Sequence, residues 1–278
     1  ITNAFNNELA SILENIQDTD HKGLHLIYTQ FRTLEGIGIL KLVLEANGFT
    51  QFKIALKDKE WVLNISEENK GKPMFALYTG TETVEEKEII RNVFNGAWKF
   101  IPTSLSKQLT NISTNNFYGE IIKVLLITAS GAEGISLKNV RYVHITEPYW
   151  HPVRINQVIG RARRICSHED LPEQERTVDV FLYLMTFTKK QMESNDAIEL
   201  RLKDKSKIDN MTPVSSDELL YEISTLKEDL TNKILHNVKE SSIDCFLHSN
   251  SDENLKCFTF NTNDPNKFSY NPSFEKEE

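Results

Sequence analysis

A chain of 278 residues, 39% hydrophobic and 26% charged, has the material for one large domain or two small ones with a real core. Its formal charge of -8 and pI near 5.5 exclude a protein that binds nucleic acid through overall electrostatics. No apolar run of the roughly 18 residues that a membrane helix needs occurs, and no signal-peptide core, so nothing points to membrane insertion or secretion.

Residues 3 to 17 place Phe5, Leu9, Ile12, Leu13 and Ile16 at helical spacing, and a polar turn leads into an apolar strand at Leu24 to Thr29. A helical segment carrying Leu34, Ile37, Leu40, Val43 and Leu44 follows, with Gly48 as its C-terminal cap. Short strands are expected at 52–56 and 61–65, and further ones at 74–79, 124–128, 142–146 and 178–185, with a helix at 84–94. Strands that alternate with helices and are apolar on both faces imply an α/β fold, a parallel sheet covered on both sides by helices. In such sheets ligands bind beyond the carboxyl ends of the strands. Residues 97–119 read as a polar insertion with little periodicity, and 248–278 as an irregular or disordered tail. Between them Ser215 and Glu218 form a capping box for a helix with Leu219, Leu220, Ile223, Leu226, Leu230 and Ile234, whose apolar stripe needs a partner, the sheet domain or another protein.

The stretch Gln157 to Arg164, QVIGRARR, concentrates positive charge on a helix. At helical spacing Gln157, Gly160, Arg161 and Arg164 form a polar stripe beside an apolar one of Ile155, Val158, Ile159 and Ala162. A helical glycine costs on the order of 1 kcal/mol against alanine, and neighbouring arginines repel unless an anion lies between them. The plain reading is a solvated basic patch; the functional one is a triphosphate site. Basic residues gather nearby (Lys123, Lys138, Arg141, Arg154, Arg163) against Glu133 and Glu147 alone, so a basic strip sits on an acidic body. Upstream, the loop Thr128 to Leu137 leaves a strand with Gly131 and Gly134, which permit positive φ and let N–H groups approach a phosphate or ribose.

In order, LHLIYTQF (24–31), YTGTETVEEKEIIRNVF (78–94), TASGAEGISL (128–137) and EPYWHPVRINQVIGRARR (147–164) resemble the second RecA-like lobe of superfamily 2 helicases and translocases, of the Swi/Snf type, and within it the nucleoside triphosphatase I group of poxviruses and other large DNA viruses. The resemblance covers residues 3–190 and reappears at SSIDC, 241–245. It implies a helicase C-terminal lobe at 1–190, a helical extension at 191–247 and the tail at 248–278. It also implies that Arg164 is an arginine finger with Arg161 as its partner on the triphosphate. Gln157, Gly160, Gly134 and Ser136 would face the nucleotide, Ser136 standing where relatives have Asn or Asp. Thr128, Gln30 and Arg32 would face nucleic acid, and Trp150 and His151 would brace the arginine helix, with Pro152 in its first turn.

A P-loop would need G-x-x-x-x-G-K-[ST], and the single Gly-Lys, Gly71-Lys72, is followed by Pro73. No Asp-Glu pair follows an apolar strand. The chain therefore reads as half of an active site, with ATP and Mg²⁺ bound only in a longer polypeptide that adds an N-terminal RecA-like lobe; the start at Ile1 agrees with a fragment. Implied partners are that lobe, nucleic acid, DNA ahead of RNA, and viral RNA polymerase or transcription factors. The implied place is the host cytoplasm, in a viral factory, or the virion. An interaction module without its own catalysis, and a nucleotide-binding domain unrelated to nucleic acid, are the rival readings. Cys166, Cys245 and Cys257, odd in number and without CxxC spacing, read as free thiols, neither a disulfide framework nor a zinc site.

Overall fold

The computed structural model describes residues 2–32, 34–129, 134–193, 204–242, 244–245 and 255–257, in two compact units, 1–222 and 223–278. In the first unit a six-stranded sheet has the order β2 (Thr50–Gln51), β5 (Met74–Tyr78), β6 (Ile122–Ile127), β1 (Leu24–Tyr28), β7 (Val140–Ile145), β8 (Asp179–Leu182). Every pairing is parallel. Ile27, at the sheet centre, pairs with Leu126 on one side and His144 on the other. Parallel strands need long crossovers, and helices supply them.

Side chains alternate between the two faces. Leu24, Leu26, Tyr28, Ala76, Leu125, Val143 and Ile145 pack with α3 (Val84–Phe94), α4 (Thr103–Thr110) and α5 (Pro152–Ala162) through Ile90, Val93, Leu105, Leu109, Val158 and Ala162. Ile27, Phe75, Val124 and Leu126 pack with α1 (Thr2–Gln17) and α2 (Ile39–Ala46) through Leu9, Ile12, Ile16, Leu40 and Leu44. The expected RecA-like parallel sheet with helices on both faces is therefore the observed one. Local signals hold too. Gly48 follows α2 at φ +85, a conformation open to glycine. Thr83 and Glu86 close a reciprocal capping box on α3. Ser215 and Glu218 do the same for α7 (Ser216–Ser241).

Four expectations need correction. The strands at 52–56 and 61–65 form a hairpin outside the main sheet, β3 (Ile54–Lys57) and β4 (Glu60–Leu63), turning at Asp58 and Lys59, both with positive φ. The helix from Leu34 is kinked at Gly36, so α2 starts only at Ile39. The segment 97–119 is folded: α4 buries Leu105 and Leu109, while Ser104 Oγ donates to the Trp61 carbonyl and Gln108 Oε1 accepts from Leu63 N–H. Buried Asn116 fixes its end, donating to the carbonyls of Phe94 and Ile122 and accepting from the N–H groups of Ile121 and Ile122. Such bonds reach across sequence and leave no periodic trace. Finally, Cys245 and Cys257 are bonded, so of the expected free thiols only Cys166 is free. An odd count leaves at least one cysteine unpaired within a chain and says nothing of the other two.

In the second unit α7 runs on with Leu226, Leu230, Ile234 and Val238 exposed, and Lys256 N–H donates to the Glu240 carboxylate. Of the expected tail, only 255–257 belong to the described residues.

Beside the sheet, on the α1 side, lies a polar array. His25 Nδ1 is 3.0 Å from His144 Nε2, His144 Nδ1 is 2.9 Å from the Tyr183 hydroxyl, and Asn15 donates to that hydroxyl. Burial holds His25 well below the usual histidine range and His144 down at about 3.

Candidate functional site

Pro152 opens α5, where a missing N–H leaves no bond unmade, after an extended His151. Val158 and Ala162 are buried and Ile155 and Ile159 pack on the same core, while Gln157 is exposed, so the apolar and polar stripes face as expected. Arg164 does not lie on that stripe. The helix ends at Ala162, because the Ser167 hydroxyl comes within 3.0 Å of the Ala162 carbonyl and the chain turns. Arg164 sits in the turn beyond, exposed.

A side chain at Gly160 would meet nothing within 4 Å among the described residues, so their packing does not require glycine there. Gly134 is also open and holds φ +75, which its backbone does require. Among the described residues Arg161 Nε is buried with no hydrogen-bond partner, a state it shares with atoms of His25, Tyr28, Gln51, Asn139, Arg141 and His151 and a costly one for a charged donor. The glycine loop reaches this corner: Leu137 N–H donates to the Arg161 carbonyl at 3.4 Å. Asn95, just past α3, clamps the same loop, donating to the Ser136 carbonyl and accepting from Lys138 N–H. Ser136 itself is exposed. Residues 130–133, Gly131 among them, lie outside the described residues. The glycine loop is thus joined to the C-terminal end of α5 at Leu137 and Arg161, with Ser136 next to that bond in sequence.

The residues expected to face nucleic acid gather at the neighbouring ends of β6, β1 and β7. Thr29 N–H donates to the Ile127 carbonyl, which sets Thr128 beside Gln30. Thr128 is 2% exposed, so it stands behind the surface and not on it. Gln30 is engaged within the lobe, its N–H donating to Glu147 and its side-chain amide to the Pro148 carbonyl. Arg32, and Phe31 before it, are exposed. Trp150 touches Tyr149 and His151 and is half exposed, while Arg154 lies 4.9 Å over the Tyr149 ring.

Glu147, in the sequence only an acid beside the basic strip, is a structural centre of this end of the sheet. Its carboxylate takes hydrogen bonds from Thr29 Oγ1 (2.6 Å) and Gln30 N–H (3.0 Å), joining the turns after β1 and β7. Burial raises its pKa, opposed by those bonds and one from Thr146. With Glu8 and Asp217 it lines a cavity of about 240 Å³. Glu8 is pushed up to about 7, by burial first and then by the charges of Glu147 and Asp217. Its signal in the sequence was position alone, the first acid after the strand at 140–145. Among the described residues no three His, Cys, Asp or Glu side chains group so as to hold a metal ion.

Residues 53–166 match the helicase conserved C-terminal domain. The chain carries a helicase C-terminal domain. Several viral proteins are similar to it. A termination factor NPH-I homolog of African swine fever virus is 36% identical over 193 residues, 67% of this chain and 27% of that protein. A protein of Acanthamoeba polyphaga mimivirus, named provisionally as an ATP-dependent RNA helicase, is 35% identical over 58% of this chain and 16% of its own length. Nucleoside triphosphatase I of Melanoplus sanguinipes entomopoxvirus is 29% identical over 56% of this chain and 25% of its own. The lobe therefore spans only about a quarter or less of these relatives. Among solved structures, the C-terminal part of the Fun30 ATPase domain aligns with TM-score 0.38 at 16% identity, over 82% of this chain and 53% of that one.

Proposed function

We propose that the chain is the C-terminal motor lobe of an ATP-driven nucleic-acid helicase or translocase, contributing to ATP hydrolysis from across a cleft. The observation that carries this is the corner at the end of α5. A buried arginine nitrogen without a partner and an exposed arginine flank a glycine that the lobe's own packing does not need. That set suits a polyanion brought by another body. Arg161 and Arg164 would meet the phosphates, with Arg164 neutralising charge that develops on the transferred group. Gln157, Gly160, Gly134 and Ser136 would line the nucleotide. Magnesium and the phosphate cradle would come from an N-terminal RecA-like lobe of the same polypeptide. When bound, ATP supplies the phosphoryl group whose transfer drives stepping.

The track is DNA, gripped at its phosphates by Arg32 and the strand-end turns around Gln30 and Thr128. Affinity of this lobe alone would be weak and would fall steeply with salt. Viral transcription, in the host cytoplasm or the virion, is the setting we assign, in keeping with the termination-factor name of the African swine fever virus relative. The test is Arg164→Ala in the full-length protein. We expect nucleic-acid-stimulated hydrolysis to fall about 10³-fold or more with nucleotide binding retained; hydrolysis at the wild-type rate would remove the proposal.

A second reading, a lobe that docks on viral transcription machinery, is favoured by one observation: Leu226, Leu230, Ile234 and Val238 are exposed on α7. Leu230→Asp with Ile234→Asp in the full-length protein should then abolish capture of viral RNA polymerase while hydrolysis persists; unchanged capture counts against docking.

A further inference from the structure

No helix holds Arg164, since Ala162 is the last helical residue. Its backbone is held instead by a single residue. Arg164 N–H donates to Ser167 Oγ at 3.3 Å, and Ser167 N–H donates to the Arg164 carbonyl at 3.1 Å. Ser167 is in turn fixed from several sides. Its carbonyl accepts from Asn139 N–H at 2.9 Å, at the end of the glycine loop. Its hydroxyl lies 3.0 Å from the Ala162 carbonyl and 2.7 Å from His168 Nδ1. His168 Nε2 is 2.8 Å from the Val140 carbonyl, the first residue of β7. A carbonyl only accepts, so Nε2 carries a proton; the single hydroxyl proton of Ser167 is shared between the Ala162 carbonyl and His168 Nδ1, while Oγ accepts from the Arg164 N–H. Ser167 and His168 are both buried beneath an exposed arginine.

We propose that Ser167, oriented by His168, is the positioning residue for Arg164 and ties it to the glycine loop. This rests on the reading of Arg164 given above. The geometry favours it over a plain helix stop. A stop needs only the Ala162 carbonyl satisfied, yet here one hydroxyl serves the helix end and the arginine N–H, while the same residue's carbonyl holds the loop that carries Ser136. A displacement of the loop is thereby handed to the arginine through one residue. Because Arg164 would act on charge that develops in the transition state, a loosened Arg164 lowers kcat and leaves the affinity for ATP largely intact.

The test uses the full-length protein with saturating nucleic acid. Ser167→Thr keeps the hydroxyl and Ser167→Val removes it at nearly the same volume, so strain from the added methyl is common to both. We expect the valine variant to lose on the order of ten- to a hundredfold in kcat relative to the threonine variant, with KM for ATP and Tm matched between them. In an Arg164→Ala background the two should be equal, since nothing remains to position. Equal kcat in the wild-type background, or the same Thr-to-Val ratio persisting without Arg164, overturns the positioning role while leaving the reading of Arg164 standing. If Arg164→Ala itself hydrolyses ATP at the wild-type rate, the reading of Arg164 fails and the inference with it.

Discussion

Asn116 and Arg161 are both polar side chains with buried atoms, one near the amino-terminal end of β6 and one at the end of α5. Asn116 spends its whole amide inside the chain, on the backbone of Phe94, Ile121 and Ile122. Arg161 keeps a buried Nε with no partner, beside a glycine that faces open space. A buried polar group is ordinarily satisfied, so the contrast separates side chains that build the lobe from side chains held for something outside it.

The comparison breaks if the two sets respond alike. Arg161→Ala should give the largest effect: a fall of about 10² or more in kcat/KM for ATP in the full-length protein, with the Tm of this chain unchanged. Asn116→Ala should do the reverse, lowering stability by roughly 3 kcal/mol in urea melts, because buried donors and acceptors lose their partner. Gly160→Ala should split the two properties in one variant. The lobe has room for the methyl and gains up to about 1 kcal/mol of helix stability, whereas hydrolysis falls.

Two buried titrating groups sharpen the contrast through pH. His25 and His144 are held neutral by burial, so the unfolded chain binds protons that the folded one does not. Their contribution is full above about pH 6.5 and is lost as pH falls toward about 3, which a urea series across that range would read as a falling midpoint. Glu8 has the opposite sign. Its carboxyl is raised from 4.5 to about 7, so the folded state binds the extra proton, and stability is lost as pH rises through that window. Glu8→Gln should therefore raise Tm modestly at pH 8 and change nothing at pH 4.

What the sequence conveyed was whatever repeats locally. Period and apolarity located β1, β5, β6 and β7, and a residue pair three apart located the cap of α7; the Thr83–Glu86 pair that caps α3 has the same spacing and was not singled out. The glycine loop and QVIGRARR were readable as chemistry because their composition is unusual. The end of α5 was not. Helical spacing continues through Arg164 on paper, and the stop is made by Ser167, a residue with no local mark, held by the Asn139 N–H and by His168, which in turn is held by the Val140 carbonyl. The fold of 97–119 escaped for the same reason, since Asn116 works through Phe94 and Ile122. Gln30 looked free for a ligand because its bond to Pro148 spans more than a hundred residues of chain.

The β3–β4 hairpin stands apart from the main sheet with Leu56 exposed, a form that invites strands of other molecules. Ser104 and Gln108 of α4 occupy the outward backbone groups of Trp61 and Leu63. The segment that interrupts the helix-strand alternation is thus a guard against aggregation. With Ser104→Ala and Gln108→Ala together the lobe would keep its fold and self-associate, a failure visible in light scattering before any in circular dichroism.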